Sequence, residues 1–419
     1  MMKARVLIWL CLMTVCVCAN AQRRQILNSN IKTLCVERNG KWNTLPYIQL
    51  NSPDRLYISF DDLTHEYHRY RYRIEPMTWD WKPNERLLTS EFLQRGIGDE
   101  PIDDHRESVN TTVLYTHYAF TFPNSETQLA LSGNYRLVVY DDDEEEDVII
   151  IPFYVVENNA TISAIVTTNT DIDFNASHQQ LAMTLTPLAS LSVHYPETEL
   201  RAVVMQNMRQ SSAVYNPKPD YVTPSGLRWE HCRDLIFSAG NEYRKFEMTT
   251  LLHGGIGMDN IQWFDPYYHA TLFTDKPRKH YLYDEEQNGA FYINDIDNDD
   301  TDTEADYVFV HFSLDADPDL KGKIYLNGEF TYDWLDQAYQ MTYNPQSHAY
   351  ESIQLLKLGY YNYQYLYVPN GATAPATANI EGDFYQTENR YSIFAYFCER
   401  GSRYDRLIAL RDFQFSLSR

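Results

Sequence analysis

Past its N-terminal segment the chain has no continuous apolar run near the roughly 18 residues that a membrane helix needs, so no later stretch reads as an integral membrane segment. Positive charge is scarce: 35 Lys and Arg stand against 58 Asp and Glu, a formal charge of -23. A surface this acidic repels nucleic acid and anionic lipid, which argues against both as partners. Cysteine is scarce too. Three of the six lie at Cys11, Cys16 and Cys18, and the remaining Cys35, Cys232 and Cys398 are odd in number and far apart. That pattern is neither a disulfide scaffold nor a CxxC metal site. There is no G-x-S-x-G nucleophile elbow, and no stretch keeps a 3.6-residue apolar period, so the alternating βαβ plan of the hydrolases that use that elbow is not expected.

What the chain does have is tyrosine, 34 residues against 16 glycines, a bias that suits half-buried strand surfaces. The opening "MMKARVLIWLCLMTVCVCANA" carries Lys3 and Arg5, an apolar stretch from Val6 to Cys18 and then Ala19-Asn20-Ala21, the A-x-A pattern of a signal-peptidase site. Cleavage is expected before Gln22, which makes residues 1–21 a removed leader and the mature chain exported, with a formal charge of about -25. At 419 residues two or three domains are the prior. Alternating runs such as "RLYISF" and "RYRYRI" follow, the latter with Tyr70, Tyr72 and Ile74 on one face and Arg69, Arg71 and Arg73 on the other. "NYRLVVY" and "VIIIPFYVV" flank the acidic run Asp141 to Asp147, which predicts a hairpin with a charged tip. Gly133 two residues before Tyr135 suggests the tyrosine corner of immunoglobulin-like sandwiches. The expected fold is all-β: tandem immunoglobulin-like or early-set β-sandwiches, with domains at 22–157, 158–300 and 301–419.

Few stretches offer chemistry. In "DIDNDDTDTEAD", Asp295, Asp297 and Asp299 hold positions 1, 3 and 5 of a calcium loop and Asp306 position 12, but Asp300 stands where Gly belongs and position 12 lacks the bidentate Glu. A solvated acidic linker is the favoured reading, with calcium the lesser one. "HEYHR" places His65 and His68 three apart in a strand or turn, on opposite faces, so they cannot share a zinc as in H-E-x-x-H. "HGGIG" at 253 to 257 reads as a turn between strands. No nucleophile has a credible base, and no cofactor or catalysis is expected.

Two stretches are candidates for recognition, because long loops on a rigid sandwich often carry it. One is the connection 83–108, with Asp99 and Asp103 in "GIGDEPIDD". The other is "DIDFNASHQQ", with Asp171, Asp173, Asn175 and Gln179, whose polar groups could equally satisfy backbone at a domain junction.

The phrases "ISFDDLTHEYHRYRYRIEPMTWDW", "GIGDEPIDDHRESVNTTVLYTHYAFTFPN", "LSGNYRLVVYDDD" and "TTNTDIDFNASHQQ", in that order, resemble the plug-protein family of the type IX secretion system. The resemblance runs from about residue 26 to the end of the chain. It implies a periplasmic protein of β-sandwich domains at the inner face of the outer membrane, docked on the giant outer-membrane β-barrel translocon and closing its channel. A rival reading rests on "YLNGEFTYDW", "MTYNPQSHAYESIQL" and "GYYNYQYLYV", which occur in the order seen in early-set domains that bind starch or glycogen. Trp334, Tyr361 and Tyr363 would then stack on sugars. Tyrosines at every second position also make cross-strand aromatic pairs, and packing is the favoured reading of this strand.

Overall fold

The computed structural model describes residues 23–417. The expected leader and its cleavage site lie outside the described residues. Almost every regular element is a strand, and the sheets pair into three sandwiches, each with its own apolar cluster.

In the first sandwich one sheet runs in the order Gln25–Ile26, Glu146–Val156, Gly133–Asp141, Tyr70–Met77, Asp99–Pro101, with Tyr47–Gln49 alongside Glu146–Val156. The other runs Ile31–Arg38, Leu56–Asp62, Thr116–Phe122, Asp104–Glu107. Alternation works as the sequence suggests: Tyr70, Tyr72 and Ile74 are buried while Arg71 and Arg73 point outward to Asp99 and Asp147. Gly133–Asp141 and Glu146–Val156 form the expected hairpin, with Asp141 opposite Glu146 at its acidic tip. Tyr135 donates its hydroxyl to the Leu131 carbonyl at 3.0 Å, the tyrosine-corner bond. The connection 83–108 is a packed excursion built of Thr89–Phe92, Leu93–Arg95, Asp99–Pro101 and Asp104–Glu107, and it sends Phe92, Leu93 and Ile102 into the core.

The second sandwich departs from the serial plan. One sheet runs Ala160–Thr167, His178–Pro187, Gly226–Trp229, Tyr221–Thr223. In the opposite sheet Leu200–Gln206 pairs with Asn389–Phe397, which pairs with Arg406–Phe415. Residues near the C-terminus thus close a domain begun near residue 160. The third sandwich, from Arg244 to about Ile380, is inserted between the two parts. The boundary expected at 300/301 therefore cuts through the third sandwich. The acidic run that suggested a linker is not one: Asp295 and Asp306 are buried and their carboxylates accept nearby backbone N–H groups.

The third sandwich sets Arg244–Met248, Gly359–Pro369 and Phe291–Ile293, with Gly322–Asn327, against Met258–Phe264, Tyr267–Leu272, Tyr307–Leu314, Ala349–Lys357 and Thr342–Asn344. A fourth apolar cluster, including Trp81, Tyr154, Phe394 and Tyr396, cements the first sandwich to the second.

Candidate functional site

The strand Gly359–Pro369 is central in its sheet, and Tyr361, Tyr363, Tyr365 and Tyr367 are all buried. Tyr361 stacks on Phe246 and Phe291, and its hydroxyl donates to the Lys357 carbonyl at 2.6 Å. Tyr363 and Tyr365 both donate to Asp275 Oδ2 at 2.8 Å. These rings are core and leave no face for a sugar. Trp334 donates its Nε1 to the Arg24 carbonyl at 2.9 Å and carries the Arg23 guanidinium 5.3 Å above its ring, so it pins the N-terminal segment.

The aspartates of the calcium template do not converge. Asp295 accepts from the Asp297 amide, Asp297 accepts from Thr250, and Asp306 accepts the amides of Thr112 and Val113 in the first sandwich. Among the described residues no three His, Cys, Asp or Glu side chains are grouped to hold a metal.

The "DIDFNASHQQ" stretch splits into two roles. Gln179 is fully buried, and its amide bonds the carbonyls of Tyr385 and Thr387 and the side chains of Asn389 and Tyr391. It is a joint inside the protein and cannot meet an external partner. Asp173 organises the loop: it accepts from Thr170, from the amide and hydroxyl of Ser177, and from His178 at 2.7 Å. Burial alone would raise its pKa, but these hydrogen bonds outweigh it and hold the carboxyl at about 2. Asp171 is tied to Gln180 and His231, and Asn175 takes the left-handed conformation at φ 47°. The turn so fixed presents Ile172 and Phe174 to solvent, Phe174 71% exposed. In the other stretch Asp103 is exposed, Asp99 takes bonds from Arg71 and Tyr140, and Ile97 next to them is 72% exposed.

A dense polar constellation lies where no sequence pattern pointed, between the first and third sandwiches. Asp61 and His117 are cross-strand neighbours in the first sandwich; Tyr307 and Lys357 are cross-strand neighbours in the third. The two pairs meet face to face. The Asp61 carboxylate accepts from His117 Nδ1 at 2.6 Å, from Lys357 Nζ at 2.7 Å and from the Tyr307 hydroxyl at 2.7 Å. Burial would push this carboxyl up, but the Lys357 charge and the His117 hydrogen bond bring it below its ordinary value. Lys357 also donates to the Asp302 carbonyl and lies 4.2 Å from the Tyr115 ring centre. Around this knot, Arg106 bridges to Asp300 and Asp302, and Tyr115 donates to the Ala305 carbonyl. The aspartate–histidine order resembles part of a hydrolytic triad, yet His117 Nε2 has no hydrogen-bond partner and so no nucleophile to activate. The only sequence hints were an aspartate pair ending "ISFDD" and a lysine set in apolar "LLKL".

A rigid β-block with exposed apolar loop tips suits recognition. The family model for the type 9 secretion system plug protein, first domain, matches residues 31–157, which is the first sandwich. A crystal structure of a hypothetical protein from Parabacteroides merdae is 40% identical, with a TM-score of 0.90, over 94% of this chain and 99% of that one. The first sandwich belongs to the type IX secretion plug-protein first-domain family. The chain's match to the crystal structure is global, so the nested second and third sandwiches are shared with that relative. Two other solved structures are much less similar. The C-terminal domain of the BspA antigen I/II polypeptide of Streptococcus agalactiae is 6% identical, with a TM-score of 0.16 over 93% of this chain and 96% of that one. The C-terminal domain of the Streptococcus pyogenes antigen I/II-family protein AspA is 8% identical, with a TM-score of 0.15 over 92% and 98%. No curated protein matches this chain. Membership links the protein to type IX secretion and its machinery.

Proposed function

We propose that this protein is a non-catalytic plug: an exported, periplasmic docking subunit that seats on the inner face of an outer-membrane β-barrel translocon of type IX secretion and closes its channel. The observation that carries the reading is that a plug-family first sandwich is locked to the rest of the chain through the buried, paired charges of Asp61 and Lys357. A stopper must hold its shape against a wide aqueous opening, and such a junction fixes one arrangement of the sandwiches. The pre-shaped turns bearing Ile172 and Phe174, and Ile97 beside Asp99 and Asp103, are the contact points we assign to docking.

Affinity purification of the tagged full chain from its native envelope, followed by mass spectrometry, tests the proposal. A large outer-membrane barrel should co-purify, and Phe174→Asp together with Ile97→Asp should reduce its recovery. Recovery of soluble enzymes alone would overturn the reading. The sugar-binding alternative has no observation in its favour, since Tyr361 and Tyr363 are in the core and the half-buried Trp334 is engaged with Arg23 and Arg24.

A further inference from the structure

Beside the Asp61 knot, between the first and third sandwiches, is a cavity of about 140 Å3 whose walls include Glu37, Trp42, Tyr57, His117, Tyr292 and Asp302. His117 is the telling wall. Its side chain is only 6% exposed, yet its Nε2 is unpartnered and lies 3.8 Å from Asp302 Oδ2, which lines the same space. The other ring nitrogen donates to Asp61, whose charge Lys357 already balances. Nε2 is thus left facing the cavity with no hydrogen-bond partner from the described residues.

Carboxylates set the charge of the remaining wall. The Glu37 carboxylate has no ion-pair partner among the described residues, and its pKa is raised by burial and then by the Asp302 charge. The cations on the wall are committed, Arg24 to Glu329 at 2.7 Å and Lys357 to Asp61. Trp42 and Tyr292 pack with ring centres 5.3 Å apart and add aromatic surface. A space walled by the Glu37 and Asp302 carboxylates and by π-faces, with both of its cations engaged elsewhere, suits a guest that brings N–H donors, a positive charge and some apolar body. A bare metal ion fits less well, because no three ligating side chains are grouped there.

We propose that this cavity is a binding site for an alkylammonium or guanidinium group, supplied either by a lysine or arginine side chain of another protein or by a free polyamine. The site stands on the cavity alone and does not depend on translocon docking.

Isothermal titration of the full mature chain with Nα-acetyl-lysine methylamide, Nα-acetyl-arginine methylamide, putrescine and zinc chloride tests it, with the His117 imidazole followed by nitrogen NMR. Saturable one-to-one binding of at least one organic cation is expected, with a shift of the His117 signal. Glu37→Gln, at a half-buried position, should weaken that binding about tenfold, the value of one charged hydrogen bond. Tighter binding of the amino-acid derivatives points to a side chain as the source, tighter binding of putrescine to a polyamine, and both support the site. No saturable binding of any organic cation, binding unchanged in Glu37→Gln, or tight zinc binding lost in that variant would overturn the proposal.

Discussion

Lys357 shows what a single side chain does here. Its ammonium is 2% exposed and meets an aspartate that is 1% exposed, so removing the cation alone strands a buried carboxylate. Lys357→Met should cost about 3–5 kcal/mol of stability, read from urea unfolding. A second pair of residues makes a pH prediction. Burial pushes the Glu242 carboxyl up to about 7 and, with the added repulsion of Glu242, the Glu286 carboxyl up to about 8. Both start from an ordinary value of 4.5, so between that and about 8 the folded chain binds more protons than the unfolded one. Their contribution is therefore full at low pH and declines as pH rises through that window. Thermal unfolding should show Tm falling from pH 5 to pH 8 on this account, and Glu286→Gln should flatten the fall and raise Tm at pH 8.

Among the elements, Gly359–Pro369 is the one whose meaning changes most. Four tyrosines in alternation correctly mark a strand and one shared face, because period two is a property of the backbone. Whether that face meets solvent depends on what packs over it, and here that is the opposite sheet, whose Phe312 from Tyr307–Leu314 meets the Tyr363 ring edge to face. Tyr365→Ala should therefore cost about 3–5 kcal/mol in chemical denaturation, as large-to-small core changes do. The hairpin tip at Asp141 and the corner at Tyr135 were legible because both depend on residues a few positions apart. The Asp61 knot was not, since its members lie as far as 296 residues apart and each looks ordinary alone. Gln179, read equally as a recognition residue or as one that satisfies backbone at a junction, could not be decided for a related reason: the choice rests on partners at 385 to 391.

For the molecule as a whole, nesting replaces the string of domains that composition suggests. A fragment covering residues 158–300 should fail to fold, since it lacks the two strands that complete its second sheet. A fragment from 241 to 382 should fold, because it holds the third core entire. Circular dichroism and proton NMR of the two fragments check this, and a folded 158–300 would contradict the pairing of Leu200–Gln206 with Asn389–Phe397. That same pairing gives the chain a test of its own completeness. As the polypeptide emerges N-terminus first, the edge of Leu200–Gln206 that pairs with Asn389–Phe397 has no strand beside it until those residues arrive, and the core of the second sandwich lacks the side chains of 389–415. A product cut short before that point keeps an open, greasy edge that proteases and chaperones recognise, so an unfinished copy is removed before it can stand in for a finished one.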